Sequence, residues 1–216
     1  MNINYPYITE YIRGLLPERK GQLSAMETEA AAEESYVPIA EPETAQFLRV
    51  LINITGAKKI LEIGTGMGYS AIVMASCRDD IEITTIERYD KVAARARVNV
   101  QNADLADRIT ILEGDAADIL PTLEGEYDMV FLDAAKGQYL AFLPILKGLL
   151  KKGGLLVSDN VLYKGMTASR ELLVRRKITI VKRLRMFLKA LYDDNTLETS
   201  VLPLGDGVAL SYIKGE

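Results

Sequence analysis

Lys59-Ile60-Leu61-Glu62-Ile63-Gly64-Thr65-Gly66-Met67-Gly68 is a short apolar run that empties into a glycine-rich turn, with helical spacing resuming at Tyr69. Strand, turn and helix in that order open a parallel βαβ unit. Glycines at the turn let the chain reverse sharply and approach a ligand without side-chain obstruction. The next apolar run, residues 81–86, ends at Glu87, at about the 20-residue distance where an acid accepts hydrogen bonds from ribose hydroxyls. Turn and acid together predict a cofactor containing adenosine. The glycines alternate, whereas the dinucleotide fingerprint sets its third glycine one residue later. Glu62, just ahead of the turn, also suits a cationic amino acid moiety better than a pyrophosphate, because like charges repel. The competing reading is a strand-turn-helix whose glycines serve packing alone.

Working outward, short apolar runs at 60–63, 81–86, 109–112, 129–132 and 155–158 alternate with helical spacing at 69–76, 90–102, 116–120 and 138–150. That alternation predicts a parallel sheet covered on both faces. Three amphipathic helices precede it, at 5–15, 20–35 and 41–54, with Val37-Pro38-Ile39 as an extended break. A long helix is expected over 170–191. Two strands, 199–203 and 208–213, then close the chain across Leu204-Gly205-Asp206-Gly207, a connection so short that it requires an antiparallel hairpin. The expected organisation is one domain, 1–216, with a helical cap over 1–56 and a core over 57–216.

Two of the predicted strands run into acids. Residues 129–132 lead to Asp133, and 155–158 lead to Asp159-Asn160. In an open parallel sheet ligands bind outside the carboxyl ends of strands. Two carboxylates and an amide oxygen form a hard, oxygen-only set suited to Mg²⁺ or Ca²⁺. Alternatively, Asp159-Asn160 turns the chain and Asp133 caps the next segment. Asp115, in Gly114-Asp115-Ala116 after the third strand, either caps a helix or faces an adenine amino group.

Composition narrows the chemistry. The 216 residues are 49 % hydrophobic and 26 % charged, enough for one substantial core, and no histidine is present. Histidine-based zinc sites, Ser-His-Asp hydrolysis and imidazole bases are thereby excluded, leaving Lys, Asp, Glu and Tyr to move protons. The single cysteine, Cys77, forms no internal disulfide and reads as a packing residue; this fits a reducing, cytoplasmic setting. No apolar stretch approaches the roughly 20 residues that span a bilayer, and no leader-like start is expected. Net charge is −4, yet residues 164–189 hold nine basic residues (Lys164, Arg170, Arg175, Arg176, Lys177, Lys182, Arg183, Arg185, Lys189) against the single acid Glu171. Such asymmetry marks either an anionic partner or a solvated helix face.

Leu61 to Gly66, Glu87, Gly114-Asp115-Ala116, Asp133-Ala134-Ala135-Lys136 and Ser158-Asp159-Asn160-Val161-Leu162 resemble, in order and spacing, the cation-dependent O-methyltransferases that act on catechols and caffeoyl-CoA. Within that family the stretches Asp133 to Tyr139, Asp159 to Gly165 and Leu202 to Gly207 look like the bacterial tRNA 5-hydroxyuridine methyltransferases. The resemblance implies a class I S-adenosylmethionine-dependent methyltransferase fold of the Rossmann-like α/β type, with a seven-stranded, mostly parallel sheet and an antiparallel C-terminal hairpin. It implies S-adenosylmethionine near Val37, Glu62, Gly64, Gly66, Ser70, Glu87, Asp115, Ala116 and Asp133, and Mg²⁺ on Asp133, Asp159 and Asn160. Lys136 matches the family's catalytic base, beside Asp133. A divalent cation nearby disfavours the protonated amine, so the lysine can accept a proton. Chelation narrows the substrate to vicinal oxygens, as in a catechol or in 5-hydroxyuridine. For tRNA the basic segment would neutralise phosphates and Tyr163 would stack on a base. A homodimer is expected from the resemblance. The alternatives are a catechol-like small-molecule substrate and a non-catalytic cofactor- or RNA-binding protein.

Overall fold

The computed structural model describes residues 3–32 and 39–215. The contacts divide the chain into two compact units, one of Ile12–Ile119 and one joining the first residues through Tyr11 to the stretch from Leu120 onward. Seven strands are ordered β3-β2-β1-β4-β5-β7-β6: β1 (Lys59–Ile63), β2 (Glu82–Glu87), β3 (Ile109–Glu113), β4 (Tyr127–Leu132), β5 (Leu150–Ser158), β6 (Leu197–Leu202) and β7 (Val208–Ile213). The helices are α1 (Pro6–Leu15), α2 (Gln22–Ala32), α3 (Pro42–Thr55), α4 (Tyr69–Ala75), α5 (Asp90–Asn102), α6 (Ala116–Ile119), α7 (Tyr139–Leu149) and α8 (Ile178–Asp193).

In the first unit β1 pairs in parallel with β2 from Lys59↔Glu82 to Ile63↔Ile86, and β2 pairs in parallel with β3. Ile60, Leu61, Glu62 and Ile63 are all buried. This explains why β1 reads as a continuous apolar run rather than an alternation: a parallel strand is covered on both faces. Proline near the first turn of α3 supplies a helical φ where an N–H is not needed, and Gly56 (φ 68) ends the helix by donating to Ile52 O at 2.9 Å.

In the second unit β4 and β5 run parallel, while β7 is antiparallel to both β5 and β6. The strand-helix alternation and the closing hairpin are therefore as the sequence predicts. Two details differ. β5 starts at Leu150, directly after α7, and its extra residues are absorbed by a register shift opposite Tyr127–Met129. The expected helix over 170–191 begins only at Ile178, after a single 3-10 turn over Arg175–Lys177. Val174, the first apolar position of the expected helix, is extended (ψ 130) and does not belong to it. Val37, and the end of the helix expected over 20–35, lie outside the described residues. Among the described residues no helix is long and apolar enough to cross a membrane. Cys77 is half-buried, hydrogen-bonded to Val73 O at 3.5 Å, and burial pushes its thiol pKa up, as befits packing rather than nucleophilic chemistry.

Candidate active site

Each unit carries one cluster of predicted site residues. In Ile12–Ile119 the turn after β1 places Gly64 (φ 103), Gly66 (φ 52) and Gly68 (φ 84) in conformations that favour glycine. The N–H groups of Gly64 and Thr65 both donate to Ile86 O, at 3.0 and 3.2 Å, which fastens the turn to the end of β2. Glu87 follows immediately and is buried. Its Oε2 accepts the Gly66 N–H at 2.9 Å and its Oε1 the Tyr89 N–H at 3.0 Å. Carboxylate oxygens held in this way keep lone pairs for further donors, such as ribose hydroxyls.

Glu62 is 0 % exposed. Ser70 Oγ donates to one of its oxygens and Thr85 Oγ1 to the other at 2.5 Å, with Thr65 Oγ1 2.6 Å from Thr85 Oγ1. A buried carboxylate demands such donors, so Glu62 and Ser70 form part of a hydroxyl network beneath the turn. Thr85 and Thr65 were absent from the sequence-based set; Thr85 is fully buried within β2, paired with Glu62 of β1. Asn99 adds a further tie: its amide donates to Met67 O at 2.9 Å and accepts from Gln22 Nε2 at 3.0 Å. Of the two readings of Asp115, the helix cap has its hydrogen bond here. Its Oδ1 accepts the Ala117 N–H at 2.9 Å, a helix cap, while Oδ2 lies 3.5 Å from Arg88 Nε. Ala116 is buried beside it.

The second unit brings Asp133, Lys136, Asp159 and Asn160 together at neighbouring strand ends. Leu132 and Ser158 are partners across β4 and β5, so the residues that come after them emerge side by side. The Asp159 N–H then donates to Leu132 O at 3.0 Å. Lys136 Nζ donates to Asp133 Oδ1 at 2.6 Å, and both side chains are half-buried. Asp159 is 2 % exposed, and its carboxyl pKa is pushed up to about 8, first by burial and then by the charge of Asp133; the Asn160 N–H, 2.7 Å from Oδ1, and Lys136 oppose the shift. Tyr139, buried at the start of α7, donates its one hydroxyl proton to Leu132 O and Asp159 O, each at 3.1 Å. Burial, with Asp133 and Asp159 nearby, holds its phenol well above its ordinary pKa. The sequence shows Tyr139 beside Lys136 but not this bridge between strands.

These residues fit a divalent cation. No group of three or more acids or cysteines gathers among the described residues, but two carboxylates plus the amide of Asn160 supply hard oxygen donors. One carboxylate is buried against the charge of the other, an arrangement that a divalent cation relieves.

A glycine turn with a ribose-type acid, on a sheet closed by an antiparallel hairpin, defines the class as S-adenosylmethionine-dependent methyltransferase, and the comparisons agree. The O-methyltransferase family matches residues 19–214, and the chain belongs to that family. It is 30 % identical over 214 residues to the caffeoyl-CoA O-methyltransferase of Eucalyptus gunnii, covering 95 % of this chain and 85 % of the relative. A candidate caffeoyl-CoA O-methyltransferase from Staphylococcus aureus is 32 % identical with a TM-score of 0.89, covering 96 % of this chain and 99 % of that one. The Bacillus cereus O-methyltransferase, solved in complex with SAH, is 26 % identical with a TM-score of 0.83, covering 96 % and 97 %. The protein is an S-adenosylmethionine-dependent O-methyltransferase of the caffeoyl-CoA O-methyltransferase type.

Proposed function

We propose that the enzyme is Mg²⁺-dependent and methylates the hydroxyl of 5-hydroxyuridine at the tRNA wobble position. The observation that carries the metal-dependent part is the meeting of Asp133, Lys136 and Asp159 at the adjacent ends of β4 and β5. Asp133, Asp159 and Asn160 hold the cation. When bound, Mg²⁺ lowers the pKa of a substrate hydroxyl and fixes its position, and the cofactor offers an electrophilic methyl. Lys136 accepts the hydroxyl proton, in a chain with no histidine for the task. Glu87 takes the cofactor ribose, and the glycine turn lets the backbone lie against it. Glu62, through Ser70 and Thr85, keeps that turn in place. Because an anionic oxygen and a cationic sulfur neutralise each other, alignment is the protein's main contribution.

The tRNA substrate rests on the basic segment. Lys164, Arg170, Arg175, Arg176 and Lys182 are exposed, and Lys177 Nζ lies 5.7 Å from the ring centroid of Tyr163. Two of the segment's arginines serve the fold instead: Arg185 donates to Thr167 O and Met166 O, and Arg183 to Gly137 O. A second reading, a catechol-like or phenolic small molecule, is favoured by the names of the relatives, and the same chelate serves it.

The deciding experiment supplies labelled cofactor and Mg²⁺ with either undermodified tRNA or a catechol panel. Label is expected in tRNA; label in catechols alone overturns the tRNA assignment. Charge reversal at Arg175 and Arg176 should weaken tRNA binding and flatten its salt dependence. The proposal includes one catalytic domain acting in the cytoplasm as a homodimer; sedimentation of the full chain as a monomer would remove the dimer.

A further inference from the structure

The loop after β5 is strained, and the β6–β7 turn holds it. Asn160 (φ 56), Tyr163 (φ 47) and Lys164 (φ 57) all adopt left-handed backbone, within five residues and without a glycine among them. Residues persist there only when their surroundings over-determine them. The surroundings here are Asp206 and Gly207. Val161 N–H donates to Gly207 O at 2.9 Å and Leu162 N–H to Asp206 O at 3.0 Å, while Lys164 N–H donates to the Asp206 carboxylate. The approach is as close as glycine permits: a Cβ on Gly207 (φ +90) would lie 2.3 Å from Leu162 Cγ. Asn160 opens this loop, directly after Asp159.

We propose that Asp206 is a positioning residue for the cation ligands: by accepting the Lys164 N–H with its carboxylate, beside the Leu162 N–H held by its carbonyl, it locks the strained loop and so sets Asp159 and Asn160. Its carboxylate acts through the backbone, as an acceptor. The proposal rests on the reading that Asp133, Asp159 and Asn160 bind a divalent cation.

The test compares wild type, Asp206→Ala and Asp206→Asn as full chains. Hydrogen exchange at the Leu162 and Lys164 amides and Mn²⁺ affinity by electron paramagnetic resonance are the readouts, with SAH affinity confirming folding. Asp206→Ala should exchange faster at the Lys164 amide, with Leu162, whose acceptor is the retained carbonyl of residue 206, as the internal control, and should bind Mn²⁺ about 10- to 100-fold more weakly, the usual loss when a partner that orients metal ligands is removed. Asp206→Asn keeps an acceptor oxygen without the charge and should restore both. If Asp206→Ala does not fold, Asp206→Ser, whose hydroxyl is too short to reach Lys164, takes its place. Unchanged Mn²⁺ affinity in the Ala variant overturns the proposal, as does an Asn variant that binds as weakly as the Ala variant. Wild type that binds no Mn²⁺ sinks the cation reading instead; the exchange rates then judge the lock by themselves.

Discussion

The two clusters of acids differ in how their charge is met. Under the glycine turn, both oxygens of Glu62 accept hydroxyl protons and both oxygens of Glu87 accept backbone N–H groups. At the ends of β4 and β5, Asp159 is buried beside Asp133, one lysine stands against two acids, and the Asp159 carboxyl rises to about 8. The first cluster is a finished cradle, preorganised by neutral donors. The second stores electrostatic cost that binding of a cation would release. The contrast teaches that burial of an acid is not itself a sign of metal chemistry; the supply of donors around it decides.

The contrast breaks first at Asp159. Asp159→Ala should cut Mg²⁺-dependent methyl transfer by more than about a hundredfold, on the scale of removing a group that stabilises developing charge, while SAH affinity stays near wild type. Steady-state turnover alongside calorimetric SAH binding measures both, and full activity with added Mg²⁺ would refute the metal role. A smaller effect tests the cradle. Thr85→Val leaves buried Glu62 short of a donor and should cost about 1–3 kcal/mol in urea unfolding, with Mn²⁺ affinity preserved. Unchanged stability would show that Glu62 does not depend on Thr85.

The smallest effect concerns an acid outside both clusters. Asp194 is paired with Lys147, which lowers its carboxyl from 3.8 to about 2. A depressed acid contributes stability above its unfolded value, so that contribution is present at neutral pH and is lost as pH falls from about 4 towards 2. Asp194→Asn should flatten this acid limb of the unfolding midpoint. An identical limb in the variant would assign the loss to other carboxylates.

Much of this was legible in the residues because strand ends and glycine turns are local signals. The run Lys59 to Gly68, the acids after β4 and β5, and the short link before β7 each declare themselves within ten residues. What was not legible depends on partners distant in sequence. The expected helix ran back to residue 170 on apolar spacing that begins at Val174, yet it starts at Ile178 because Val174 is extended, and spacing reports a face rather than a beginning. The excess of basic residues likewise promised one charged surface, whereas Arg185 is spent on carbonyls of Met166 and Thr167. Tyr139 stood in its motif, but only the fold brings Leu132 O and Asp159 O to the same hydroxyl.

That hydroxyl has a consequence for metal choice. Tyr139 spans the two strand ends, and its ring meets Phe187 of α8 edge-on, with centroids 5.4 Å apart and planes at 73°. Phe187 is fully buried, so the spacing of the strand ends from which Asp133 and Asp159 emerge is braced by core packing as well as by the Lys136–Asp133 pair. Mg²⁺ demands oxygen distances of about 2.0–2.1 Å and Ca²⁺ about 2.3–2.6 Å. Should Asp133 and Asp159 hold the proposed cation, ion preference would become a property of how an aromatic pair fills its space, adjustable from a helix that carries none of the ligands.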